Sequence, residues 1–311
     1  MKNKNISKIW GISVVLLITY HLVLITAPAL AGERTISIGP PTHELEIAPG
    51  QTQATSLTVT NNGKEQVVLE AFIRDFVASQ EGDAPRILGE EETSSYSLKP
   101  WLLLSEKQFV LQPGEQRQIV VTIAVPQNAE AGGHYGLVGF SEANSDIEEG
   151  VSVKAGIAGL FLVTIPGEID LSASIIRFVG SSLSAQSSVP LSLTLRNEGN
   201  VHIRPAGFIR ISNLFGRQVT ELPLNGELFA VLPDSQRVFV SEWGTGGSFG
   251  LYRARATVTL PENGETLLSA PLSLWVFPIR TVGIGLLALL IMVLTAYEVE
   301  HLRLARRAVK E

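Results

Sequence analysis

The sequence contains no cysteine in its 311 residues. That absence removes disulfides, thiolate metal sites and cysteine nucleophiles together. Each folded unit must therefore hold by core packing alone, which is feasible at about 100 residues or more. Charge is sparse too, at 17% of residues, and unevenly spread. Positions 32–278 hold 16 basic against 27 acidic residues, a net −11. Most of that imbalance lies in 33–167, with 8 basic against 18 acidic residues, while 168–278 carries 8 against 9. A surface of that sign repels nucleic acid, since phosphate binding relies on Lys and Arg displacing counterions. Nucleic acid is excluded as a partner. There is no H-E-x-x-H, and the five histidines are scattered as His21, His43, His134, His202 and His301. Nothing marks a nucleophile, base and orienter, so the expectation is a non-enzyme with no cofactor and no bound metal.

Long hydrophobic runs are confined to the two ends. Lys2, Lys4 and Lys8 precede an apolar stretch from Ile9 to Ile25, and Ala29-Leu30-Ala31 supplies small residues at −3 and −1. This is the layout of a cleavable signal peptide over 1–31, with an uncleaved signal anchor as the rival. At the other end, Ile279 to Tyr297 is flanked by Trp275 and Phe277 before it and by Arg303, Arg306, Arg307 and Lys310 after it. Those flanks predict a transmembrane helix over 279–297 and a basic cytoplasmic tail over 298–311. The expected localisation is the cell membrane, single-pass, with the N-terminal ectodomain outside the cytoplasm and the C-terminus within it.

Between the ends, short apolar runs are split by Gly, Pro and Asn, the texture of an all-β chain. The middle also repeats itself. Leu57-Thr58-Val59-Thr60-Asn61-Asn62-Gly63 matches Leu193-Thr194-Leu195-Arg196-Asn197-Glu198-Gly199. At the same spacing, Ala71-Phe72-Ile73-Arg74 matches Gly207-Phe208-Ile209-Arg210. Pro113 with Gln116-Arg117 then matches Pro233 with Gln236-Arg237 at a shorter spacing, so the first copy holds about sixteen extra residues between Arg74 and Pro113. The polar stretch from Glu81 to Pro100 predicts an inserted loop there. The fold expected is all-β, with two tandem immunoglobulin-like Greek-key sandwiches over 32–167 and 168–276, plus the C-terminal transmembrane helix.

Three motifs carry a resemblance. They are Ser97-Leu98-Lys99-Pro100-Trp101-Leu102, Leu111-Gln112-Pro113-Gly114-Glu115, and Val125-Pro126 followed by Ala131-Gly132-Gly133-His134-Tyr135-Gly136. Together they resemble the first ectodomain of the WxL-interacting proteins of Gram-positive cell surfaces and related bacterial surface proteins. Ala158 to Gly167 is similar to the strand that closes that domain. The resemblance implies peptidoglycan binding by the first domain and protein binding by the second.

The candidate ligand-binding residues are Trp101, His134 and Tyr135. Trp101 is either a sugar platform or, flanked by leucines, a core residue. His134 and Tyr135 either line a glycan groove or belong to a glycine turn that opens an ordinary strand. Glu90-Glu91-Glu92 and Asp146, Glu148 and Glu149 are either calcium loops or solvated charge. The function expected is a membrane-anchored surface protein that binds peptidoglycan or a wall-associated protein. The alternative is an assembly chaperone, which donates or accepts a strand, or a structural stalk.

Overall fold

The computed structural model describes residues 36–79, 85–143, 156–181, 183–184, 188–245, 249–277 and 279–308. The signal peptide expected over 1–31 lies outside the described residues, as do Asp146, Glu148 and Glu149. Among the described residues from 36 to 276 the regular elements are β-strands and one 3-10 turn, and they build two immunoglobulin-like sandwiches.

In the first sandwich, one sheet runs β1-β3-β8-β6 and the other runs β2-β10-β9-β4-β5. The strands are β1 (Ile36–Gly39), β2 (Thr42–Glu46), β3 (Thr52–Asn61), β4 (Val67–Val77), β5 (Arg86–Ile87), β6 (Leu102–Leu104), β7 (Gln108–Leu111), β8 (Gln116–Ala124), β9 (Gly132–Glu142) and β10 (Gly156–Ile165). β7 pairs with β4. The opening strand changes sheets: β1 pairs antiparallel with β3, and after Gly39-Pro40 β2 pairs parallel with β10. Alternate residues of β3 and β8 point inward, so Leu57, Val59, Ile119, Val121 and Ile123 meet Phe140 and Phe161 from the facing sheet.

The second sandwich repeats the plan. β11 (Ala173–Gly180), β13 (Ser188–Asn197) and β16 (Gln236–Gly244) form one sheet. Opposite them stand β12 (Leu183–Ser184), β19 (Leu272–Val276), β17 (Gly250–Thr259), β14 (Ala206–Asn213) and β15 (Gln218–Leu224), with β18 (Thr266–Leu268) beside β17. Again the opening strand switches, since β11 pairs with β13 and β12 runs parallel to β19.

The repeated motifs do the same structural work in each copy. Asn61 and Asn197 are fully buried at the ends of β3 and β13. Asn61 donates to Glu65 O (2.8 Å) and Leu111 O (3.2 Å) and accepts from Gly63 N (2.9 Å). Asn197 donates to Val201 O (2.8 Å) and Val231 O (2.9 Å) and accepts from Gly199 N (2.9 Å). Each amide therefore staples a turn to a neighbouring strand or bridge. The paired Phe-x-Arg motifs match as well, with Arg74 over Phe72 (5.7 Å) and Arg210 over Phe208 (5.0 Å).

The stretch between Arg74 and Pro113 is more than the polar loop expected. Leu88 and Leu98 are buried, and a single 3-10 turn over Lys99–Trp101 leads into β6. Its anchor is Asp75, 1% exposed, which accepts from Ser97 Oγ (2.5 Å), Leu98 N (3.1 Å) and Lys99 N (2.9 Å).

The C-terminal segment requires a correction. Helix α1 (Ile279–Ala308) follows β19, and its described side chains, Gly283 to Tyr297, are exposed and add to neither core. Among the described residues no helix is long and apolar enough to cross a membrane. The uncharged run between Arg280 and Glu298 covers about 26 Å at 1.5 Å per residue, short of the roughly 30 Å of a bilayer core. The single-pass membrane localisation, and the orientation built on it, are withdrawn.

Candidate functional site: the groove between the sandwiches

β10 is apolar on both faces, which only a strand covered twice can sustain. Phe161, Val163 and Ile165 enter the first core, with Ile157 packed against it. Leu162 turns the other way and joins Phe76, Tyr135 and Leu137, with Phe72, Tyr96, Ala158 and Leu160 packed alongside. Ala230 and Leu232 of the second sandwich close over this second cluster.

Glycine makes room for the aromatic rings in that layer. A Cβ on Gly139 would fall within the Phe72 ring, and one on Gly133 would overlap the Tyr135 hydroxyl. Gly139→Val is therefore expected to cost about 2 kcal/mol through overpacking, read as a lowered urea midpoint with an unchanged slope.

Polar contacts tie the sandwiches together around the apolar layer. Tyr135 is 2% exposed, and its hydroxyl accepts from His202 N (2.8 Å) and faces His202 Nδ1 (3.4 Å). Gly133 N donates to Asn200 O (2.8 Å), and the Tyr96 hydroxyl donates to Asp234 Oδ2 (2.8 Å). Burial, with help from the Asp234 carboxylate, pushes the Tyr96 phenol up to about 12. Burial also pushes the Tyr135 phenol up and pulls the His202 imidazole down to about 4, against an opposing pull from Glu262. Arg204 forms an ion pair with Glu44 of β2.

Beside these contacts runs a groove of about 630 Å³. Phe76, Leu160 and Leu162 line it from the first sandwich, and Phe229, Leu232 and Val238 from the second. Two arginines also line it, and both have partners. Arg204 holds Glu44 and Leu228 O, while Arg237 donates to Ala230 O (3.1 Å) and lies 4.5 Å from the Phe229 ring centre. The groove therefore offers apolar surface more than free charge.

One rim of the groove is a strand edge. β2 covers only Leu160 to Thr164 of β10, although β10 pairs with β9 from Gly156 onward. Leu160 N donates to Pro41 O (2.9 Å), so its backbone groups face outward. Strand alternation turns those of Ala158 and Gly156 the same way, where they meet no backbone partner among the described residues.

The sequence candidates lie close to this region but in packing roles. Trp101 is half-buried against the first core, with its ring centre 4.3 Å from that of His134. His134 is 9% exposed, and its two ring nitrogens face Ser97 O and Glu130 O, each at 3.2 Å. Tyr135 points to the opposite face of β9, as neighbours in a strand must, so the three never converge on one platform. Among the acidic candidates, Glu90 pairs with Arg74 (3.2 Å) and Glu92 with Arg86 (3.3 Å). The Gly89 N–H and then Arg86 hold the Glu92 carboxyl below its usual range. Gly246 to Gly250 spells G-x-S-x-G, but 246–248 lie outside the described residues. That segment joins two strands, β16 and β17, unlike the strand-to-helix elbow of a hydrolase.

Sequence reasoning missed Leu160, Leu162, His202, Arg204 and Phe229. The usable signal was the unbroken apolar run from Ile157 to Val163, which lacks the alternation of a half-exposed strand.

No protein-family model and no curated protein matches the chain. Similar solved structures include the class 5 fimbriae chaperone CfaA, with 17% identity over 76% of this chain and 100% of that one, at a TM-score of 0.40. Another is the Salmonella enterica SafA pilin in complex with the SafB chaperone, with 12% identity over 77% and 95%, at 0.33. The periplasmic chaperone SfaE matches with 13% identity over 76% and 98%, at 0.34. The resemblance to WxL-interacting proteins is corrected by these comparisons: no model of that family matches the chain, and the similar structures named above are chaperones and a chaperone–pilin complex. The motifs that suggested it serve packing, since Gly114 takes a positive φ in a tight turn and Gly133 clears the Tyr135 ring. Peptidoglycan binding loses its support with that family.

Proposed function

We propose that the chain is an assembly chaperone that holds an extended segment of a client protein by strand addition. The observation that carries the proposal is the outer edge of β10, which meets no strand among the described residues at Gly156 to Gly159, next to the Leu160 that lines the apolar groove. An added strand gains affinity from the outward backbone groups of Ala158 and Gly156, which have no backbone partner among the described residues, and selectivity from alternate side chains that meet the groove. The partner is another protein, and the role is not enzymatic.

Ala158→Pro tests this directly. Proline removes the outward N–H and leaves the β9 ladder intact, because by strand alternation the β10 backbone groups turned toward β9 are those of Ile157 and Gly159. The probe is a lysine-flanked peptide alternating valine and threonine, added to the full chain. Binding is expected to slow amide exchange at Gly156 and Ala158, and Ala158→Pro should weaken it at least about tenfold, the equivalent of one lost backbone hydrogen bond. Equal binding by the proline variant, or protection confined to another edge, would sink the proposal.

A further inference from the structure

We infer that the Tyr135–His202 contact is a pH-sensitive clasp that holds the two sandwiches closed and lets them part in mild acid. The inference concerns the angle between the sandwiches and stands whatever the groove holds.

The clasp joins the first strand segment of β9 to the turn that follows β13. The Tyr135 hydroxyl takes the His202 backbone N–H at 2.8 Å and lies 3.4 Å from Nδ1, within reach of donating its own proton there. The two rings meet edge to face at 5.7 Å. In the clasp we infer, the imidazole is the acceptor at Nδ1, which requires a neutral His202 with its proton on Nε2. A proton arriving on Nδ1 would confront the tyrosine O–H and place a cation where burial disfavours it. Parting the sandwiches would return both groups to water.

The surrounding groups decide how much acid is needed. From β9 the facing group is Tyr135; from the segment before the 3-10 turn it is Tyr96, whose ring lies 6.1 Å from Tyr135 and whose hydroxyl is bound to Asp234. From the turn between β17 and β18 it is Glu262, which accepts from Arg204 N (2.8 Å) and favours the charged imidazole. On the histidine's own segment, Arg204 is paired with Glu44. His134 follows a different course, facing Trp101 across β9. Burial outweighs the Glu262 attraction, and the imidazole is pulled down to about 4.

The sign follows from that direction. A histidine depressed in the closed form and ordinary in the open form supports closure fully above about pH 6.5. The support is lost progressively as pH falls from there to about 4, by roughly a hundredfold in the closing equilibrium. Arg204, two residues beyond His202, lines the groove, so release of the clasp would widen the cleft itself.

The lack of cysteine makes the test clean. Gln118→Cys and Gln218→Cys, both exposed and one in each sandwich, take spin labels on the full chain. The distance between the labels is expected to be single at pH 7.5 and to gain a second population between pH 6 and 4. In His202→Gln the distribution should stay constant over that range while the β-sheet circular dichroism persists. Tyr135→Phe should show the second population already at pH 7.5. An unchanged distance in the native sequence would overturn the clasp, as would an equal acid shift in His202→Gln. So would a change that appears only together with loss of the sheet signal.

Discussion

Replacing Asn197 by alanine is expected to lower the stability of the second sandwich by about 3 kcal/mol or more. The side chain is fully buried, and it closes three hydrogen bonds to backbone atoms. Alanine leaves the carbonyls of Val201 and Val231 and the N–H of Gly199 without a partner. Each buried group so stranded costs about 1–3 kcal/mol, less whatever local relaxation and water recover. Asn197→Asp should be worse, since a carboxylate would then face both carbonyl oxygens. Asn61→Ala should cost less than Asn197→Ala, because its bond to Leu111 O is longer, at 3.2 Å, and two of its three contacts are only partly buried. Urea denaturation followed by amide exchange, resolved to each sandwich, separates the two effects. Equal, small losses in both variants would mean that water replaces the amide in each turn.

That pair of asparagines also explains why so much of the fold was legible. An Asn-x-Gly segment ending an alternating strand is a local signal, and its second appearance at a constant spacing announced the duplication. The Phe-x-Arg matches were legible for the same reason, each being a contact between residues two apart on one strand face. The groove was not legible, because it depends on long-range pairing. No local rule places Leu232 against Leu162, or His202 against Tyr135, 67 residues away. The second apolar face of β10 was the one available sign, and taking Ala158 to Gly167 only as the strand that closes the first domain leaves it unused. The family resemblance failed for a related physical reason. Pro-Gly turns and glycines beside aromatic rings answer the packing needs of a sandwich, and they recur wherever those needs do.

Asp75→Ala is expected to have the largest effect of any single change in the first sandwich, at about 4 kcal/mol. Asp75 sits in β4, in a strand that otherwise buries Leu69 and Phe76, with 1% of its surface exposed. Its carboxylate accepts from one hydroxyl and two backbone N–H groups of Ser97, Leu98 and Lys99. Hydrogen bonds to a charged acceptor contribute about 1.5–3 kcal/mol each, and of the donors stranded by alanine the Leu98 N–H is buried while those of Ser97 and Lys99 are partly so. The loss should also travel. Ser97 O receives a ring nitrogen of His134, and Ser97 bridges to Tyr135 of β9. Without Asp75, the 3-10 turn that carries Trp101 loses its anchor and its contact with His134. Trp101 fluorescence should then shift toward that of a solvated indole in a chain that still holds its second core. Asp75→Asn is the sharper comparison. It keeps the volume and one acceptor but turns an amide donor toward N–H groups, so it should recover well under half of the loss. Full recovery by asparagine would mean that shape, and not the three accepted hydrogen bonds, is what Asp75 supplies.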